Sequence, residues 1–289
     1  MALRIITADE RLSRPNKINI ALFGPSGVGK TTQARTLNPK STLFIDLEGG
    51  TLALQDWRGD VLPVREMANE AGIDPWVLAR AIACVIAGPD PSDLDGPYSK
   101  GAFAQYVEAL LPASHFEKYD TVFVDSITVA SRHCFAWAQR QPDAFSEKSG
   151  KPDKRGAYGL MGQEMVKWLT TLQHSPKSVI VVGILDREVD DLGRVEWSPQ
   201  IEGSKTGREL PGIFDQVLTL QNFTADDGRE YRAFVTQQNN PDGYPAKDRS
   251  GRLAPIEPPN LGELLLKIRT ANNTAAPASF TIPAAQEVA

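Results

Sequence analysis

Apolar positions along the chain fall into two patterns. Short unbroken runs occupy residues 18–23, 42–46, 121–125 and 178–185, each bounded by polar or turn-forming residues. Runs of this kind predict strands buried on both faces. Between them, apolar residues recur at three- and four-residue spacing over 32–37, 76–87, 101–111, 129–139 and 160–172, which predicts helices. Residues 187–189 and 194–197 read as a hairpin across Asp191-Leu192-Gly193, residues 216–220 and 231–236 as two late strands, and 261–268 as a last helix. Stretches 88–93 and 142–155 carry Pro, Gly and polar residues and read as loops, and from Asn272 onward Ala, Pro, Thr and Ser predict a flexible tail. This alternation predicts an α/β fold, a mostly parallel twisted sheet with helices on both faces. The expected organisation is one domain over 1–270, with a core at 15–240, an extension at 241–270 and a tail at 271–289. In such sheets ligands meet the carboxyl ends of the strands.

The first run leads into Gly24-Pro25-Ser26-Gly27-Val28-Gly29-Lys30-Thr31-Thr32. This fits G-x-x-x-x-G-K-[ST], with the strand before and the helix after that the pattern requires. Glycines let backbone N–H groups curl around phosphate oxygens, Lys30 reaches the β- and γ-phosphates, and the Thr31 hydroxyl ligates Mg²⁺. Asp125, at the end of another apolar run, is the expected carboxylate on Mg²⁺, with a helix N-cap as the plainer alternative. Many ATPases place a glutamate directly after that aspartate. Here the position is Ser126, so the water-activating base must come from elsewhere. Glu48, just past Asp46 at the tip of a neighbouring strand, is the candidate; the plainer reading is a solvated turn acid before Gly49-Gly50.

Gly24-Pro25 with Gly29-Lys30-Thr31-Thr32, then Phe44-Ile45-Asp46-Leu47-Glu48, then Val124-Asp125-Ser126, resemble the ATPase core of the RecA recombinases. Tyr158-Gly159-Leu160-Met161 resembles the end of that family's first DNA-binding loop. Residues 202–211 and 244–249 are similar to phage nucleotide-binding proteins, minimal RecA-core proteins of single-strand annealing and recombination. The resemblance covers roughly residues 15–270, strongest in the first 130. It implies a RecA-like P-loop NTPase fold, ATP with Mg²⁺, slow or DNA-dependent hydrolysis to ADP and phosphate, and Glu48 as catalytic base beside Lys30. The family's glutamine at the end of the fourth strand has no counterpart in Gly183-Ile184-Leu185, so the link between ATP state and the DNA loop is either missing or carried by Arg187 just after.

Charge adds a second layer. With 31 Lys+Arg against 36 Asp+Glu the net charge is −5, which argues against general coating of nucleic acid but leaves room for a local basic groove. Lys148, Lys151, Lys154 and Arg155, flanked by Phe145 and Tyr158, combine phosphate-neutralising cations with stacking surfaces, as single-strand binders do. Lys205 and Arg208 lie on a glycine-containing stretch. They suit either DNA contact or stabilisation of charge on the γ-phosphate, in the same subunit or a neighbouring one. Tyr244-Pro245 suits either a stacked cover for the adenine or a simple turn after the last strand. Single-stranded DNA, a homo-oligomeric ring or filament and a single-strand binding protein are the expected partners. With 41% hydrophobic residues a core is assured, no apolar run has the length of a membrane span, and two cysteines make no disulfide framework. The chain reads as cytoplasmic, in the host cell if phage-encoded. A non-catalytic ATP-loaded adaptor of a replication or packaging complex, and a small-molecule kinase, remain open beside the recombination reading.

Overall fold

The structure, a computed structural model, describes residues 4–13, 16–110, 112–146, 149–189, 193, 195–202 and 204–270, with backbone alone at 11, 204–206 and 208. In chain order the described elements are α1 (Ala8–Ser13), β1 (Asn19–Gly24), β2 (Thr42–Asp46), β3 (Asp60–Pro63), α2 (Val64–Ala71), α3 (Pro75–Ala87), α4 (Lys100–Ala109), β4 (Thr121–Asp125), α5 (Ile127–Ala138), α6 (Lys154–His174), β5 (Ser178–Val189), β6 (Val195–Pro199), α7 (Ser204–Ile213), β7 (Gln216–Thr224), β8 (Glu230–Val235), β9 (Lys247–Asp248), β10 (Ile256–Glu257) and α8 (Leu261–Arg269).

One mostly parallel sheet runs in the order β10-β8-β7-β1-β5-β4-β2-β3, with β6 paired to β5 and β9 to β7. The parallel part is β7-β1-β5-β4-β2-β3; β8, β10, β9 and β6 join antiparallel. Neither neighbour of β1 is adjacent to it in sequence. Its carboxyl end therefore opens where the connections diverge, which is where α/β sheets bind ligands. Period-two alternation sorts each strand between two cores. Ala21 and Phe23 face α3, α5 and α6, whereas Ile20, Leu22 and Val28 pack with Leu218, Leu220, Phe234 and the apolar side of α8.

Strand positions follow the apolar runs closely, because runs buried on both faces carry their own signature. Several other expectations changed. The helix expected over 32–37 is a 3₁₀ turn, Thr31–Thr36, followed by extended Leu37. Asn38 precedes Pro39, and a residue before proline disfavours the α conformation, which stops the turn early. The loop expected over 142–155 closes instead. Phe145 bridges Pro152, Ser146 N–H donates to Lys151 C=O at 2.9 Å, and Asp153 caps α6 by accepting from Arg155 N–H. Lys154, Arg155 and Tyr158 thus stand on the first turns of a helix, not in a loop. Residues 204–213, read as a glycine-containing loop, form α7, which packs on α6 through buried Leu210. Lys205 and Arg208 are helical in backbone. Lys148 and the tail 271–289 lie outside the described residues, as does most of the turn proposed at Asp191-Leu192-Gly193. Among the described residues no helix is long and apolar enough to cross a membrane.

Candidate functional site

The phosphate loop begins where β1 can no longer carry side chains. A Cβ on Gly24 would lie 2.4 Å from the Leu220 carbonyl oxygen, so only glycine lets the chain leave β1 this close to β7. Gly29 has a φ of +98°, a conformation that side-chain-bearing residues avoid. Val28 is buried and anchors the loop from inside. Lys30 is also buried, and its Nζ donates back to the carbonyls of Gly24 (3.0 Å) and Pro25 (2.8 Å). Burial pushes its pKa down, while Asp125 and then Glu48 act in the opposite direction. An ammonium held in this way is poised over an anion site and is incompletely compensated without one.

β2 and β4 pair in register, with Asp46 opposite Asp125, so both strands end at one level beside the loop. Asp125 is buried and accepts from the Thr31 hydroxyl at 2.5 Å. Burial raises its pKa to about 6, the Thr31 hydrogen bond opposes the rise, and the negative charge of Glu48 adds to it. Asp46 has a different task. Its Oδ1 accepts from the backbone N–H groups of Glu48 (3.0 Å) and Gly49 (2.7 Å), forming the turn that carries Glu48 back toward the site. There Glu48 Oε1 accepts from the Ser126 hydroxyl at 2.5 Å, and Ser126 Oγ accepts from Val129 N–H as N-cap of α5. The Asp125–Ser126 peptide is cis.

Two hydrogen-bonded pairs, Thr31 with Asp125 and Ser126 with Glu48, therefore flank Lys30. A hydroxyl and a carboxylate offer only hard oxygen donors, few in number. That suits Mg²⁺, which keeps waters and takes its remaining ligands from phosphate oxygens. The sequence reading assembled Lys30, Thr31, Asp125 and Glu48 but missed the partner role of Ser126. The N-cap pattern of a serine just before a helix was its visible signal.

The other expected site residues are dispersed. Arg187 is exposed on the carboxyl end of β5, three residues past the one opposite Gly24, and paired across to Trp197 of β6. Tyr244 tilts against Trp197 with ring centroids 5.0 Å apart, and the Pro245 carbonyl accepts from Thr219 at 2.7 Å. Thr219 alternates with Leu218 and Leu220, so this contact lies on the sheet face opposite the 31–36 turn. Lys151, Lys154 and Arg155 are exposed. Tyr158 stacks on Phe135 of α5 at 4.3 Å while keeping an open edge. Arg155 and Tyr158 line one end of a groove of ≈1560 Å³ that runs along α6 to His174, bounded opposite by residues 87–92. None of the residues lining that groove belongs to the phosphate loop. One residue near the loop was not foreseen at all: the guanidinium of Arg232, on β8, rests against Gly29.

A family model described as an AAA domain matches residues 16–250. Similar solved structures include the flagellar accessory protein FlaH of Methanocaldococcus jannaschii, at 11% identity over 83% of this chain and 87% of that one, with a TM-score of 0.36. A KaiC-like protein of Pyrococcus horikoshii is 17% identical over 75% and 78% of the two chains, with a TM-score of 0.33. An ATPase from the type III secretion system of pathogenic bacteria is 16% identical over 71% of this chain and 51% of that one, with a TM-score of 0.35. No curated protein matches the chain.

Proposed function

Because the chain belongs to the AAA-domain family, over a span that includes the phosphate loop, Glu48 and Asp125, we propose that this P-loop ATPase hydrolyses ATP slowly and acts with it on single-stranded DNA, as an assembled homo-oligomer, in annealing or recombination of the phage type. The observation that carries the hydrolytic part is the convergence of Lys30, the Thr31–Asp125 pair and the Ser126–Glu48 pair at the carboxyl ends of β1, β4 and β2.

In this reading Lys30 gives up its bonds to Gly24 and Pro25 and donates to the β- and γ-phosphates. Thr31 and Asp125 hold Mg²⁺, which when bound compensates charge on the phosphate oxygens. Glu48 accepts a proton from the attacking water as the new bond forms to the γ-phosphorus and the bridging bond to ADP breaks. Ser126 keeps the Glu48 carboxylate aimed from one oxygen and leaves the other for water. The DNA part draws support from the exposed cations Lys151, Lys154 and Arg155 beside the half-open ring of Tyr158, at the mouth of the α6 groove.

ATP turnover measured with and without single-stranded oligonucleotide tests both parts. Turnover that rises with DNA supports the proposal. Binding of ATP with no turnover under either condition replaces it with a non-catalytic ATP-loaded adaptor. Turnover indifferent to DNA, with no DNA binding at low salt, removes the nucleic-acid half.

A further inference from the structure

We propose that Arg232 is a nucleotide-contact residue, whose guanidinium binds the α- and β-phosphate end of ATP from the side of the loop opposite the acids. The proposal rests on the reading of residues 24–32 as an ATP site and adds to it a residue some two hundred positions away in the chain.

The placement comes from the sheet. β1 ends at the phosphate loop, and β7 beside it runs on, with Thr219 opposite Phe23 and five further residues beyond. β8 folds back along that extension, bringing Arg232 opposite Asn222, past the level at which β1 stops. Arg232 alternates with Phe234, which is buried with Leu22, Val28 and Leu220 on the face where the 31–36 turn packs. The side chain therefore stands over the loop from that face. A Cβ placed on Gly29 would lie 2.9 Å from Arg232 Nη1 and 3.8 Å from Cζ, with Thr32 Oγ1 at 4.0 Å from the same point. The guanidinium is thus in contact with the backbone that a bound polyphosphate must touch.

Charge gives this contact a direction. Among the described residues Arg232 has no carboxylate partner, whereas Arg229 on the same hairpin is tied to Asp227 at 2.6 Å. Arg232 and Lys30 bring two cations to one loop, while Asp125 and Glu48 lie across β1 on β4 and beyond β2. A guanidinium without an anion, laid on a loop shaped for phosphate, is stabilised when phosphate arrives. Its planar fork presents two N–H donors in a fixed, parallel geometry to two non-bridging oxygens, whereas an ammonium acts as a point charge without that fixed direction. Since the acids of the reacting end stand on the other side of β1, Arg232 meets the end of the polyphosphate that hydrolysis leaves on the nucleotide.

Calorimetric titration of the full chain with ATP, ADP and inorganic tripolyphosphate, each with Mg²⁺, tests this with Arg232→Ala and Arg232→Lys, both checked for an unchanged melting temperature. Arg232→Ala should weaken ATP and ADP by one common factor of about 10 to 100, and tripolyphosphate by a comparable factor. Arg232→Lys should lose less, and it carries the test if the alanine variant does not fold. Unchanged affinities overturn the proposal. So does a loss confined to ATP, which would place the contact on the γ-phosphate, and so does a loss that spares tripolyphosphate, which would place it on the base. If the unaltered chain binds none of the three, the reading of the phosphate loop itself fails, a result distinct from all of these.

Discussion

Lys30 and Lys151 are both cations beside a turn, and the protein treats them in opposite ways. Lys30 is 8% exposed, bonded to two loop carbonyls, and has its pKa pushed down by burial. Lys151 is exposed at the Phe145–Pro152 bridge, next to two further exposed cations on α6. A buried cation is stable only where specific anions compensate it, so the region around Lys30 is selective and cannot be altered cheaply. Exposed cations cost little to hold and interact with any phosphate backbone, but their attraction is screened by salt. One region suits a single anion in one pose; under the proposed function the other suits a polyanion in many.

The sharpest way to break this contrast acts on Glu48. Glu48→Gln keeps the hydrogen bond from Ser126 but cannot take a proton from water, so steady-state turnover should fall by about 10²- to 10⁴-fold while ATP affinity stays near the parental value. Parental turnover would move the base elsewhere. Lys30→Ala comes next. ATP affinity should fall about 10²-fold in calorimetry, because the charge-assisted contacts with the β- and γ-phosphates are lost. An unchanged affinity would mean that the buried ammonium serves only the fold.

On the exposed side the effects should be smaller and differ in kind. Replacing Lys151, Lys154 and Arg155 together by Ala should weaken single-stranded oligonucleotide binding for every sequence. It should also flatten the plot of log affinity against log salt by about 2, at roughly 0.7 per lost phosphate contact, with ATP affinity unaltered. Parental slope and affinity would show that these cations only solvate the surface.

The smallest effect concerns stability and pH. The Asp125 carboxyl has a pKa of about 6 in the fold, raised from an ordinary value of 3.8. Between those values the folded chain holds a proton that the unfolded chain releases, so this group makes the ligand-free protein less stable as pH rises from about 4 to about 6. Asp125→Asn removes the charge. In the absence of Mg²⁺ the variant should gain on the order of 1 kcal/mol relative to the parent, and the gap in melting temperature should widen from pH 5 to pH 7. A constant gap would mean that Asp125 is not the group that titrates.

The parts of this molecule legible from the residues alone are those whose chemistry is local. Gly24 to Thr32 is a continuous stretch in which each residue acts through its own backbone or reach, so its pattern is complete in one dimension. Asp125 and Glu48 were visible because one ends a mostly apolar strand and the other lies two residues past the end of one, and register then only had to bring two strand ends to one level. β3 escaped notice because a four-residue, half-exposed strand has no periodicity to read, and α2 because its apolar positions Val64, Met67, Ala68 and Ala71 cover only two turns. α7 was hidden by Gly207 and Pro211, residues that argue for a loop until Leu210 is buried against α6. Tyr244 could be assigned to an adenine or to a turn from its sequence alone; the fold sets it at a tilt against Trp197, a residue it meets only through the β5–β6 pairing. Arg232 had no signal of any kind. Its approach to Gly29 exists because β7 outruns β1 and β8 returns along the overhang. Contacts between distant residues are set by strand length and register in three dimensions, and no spacing along the chain encodes them.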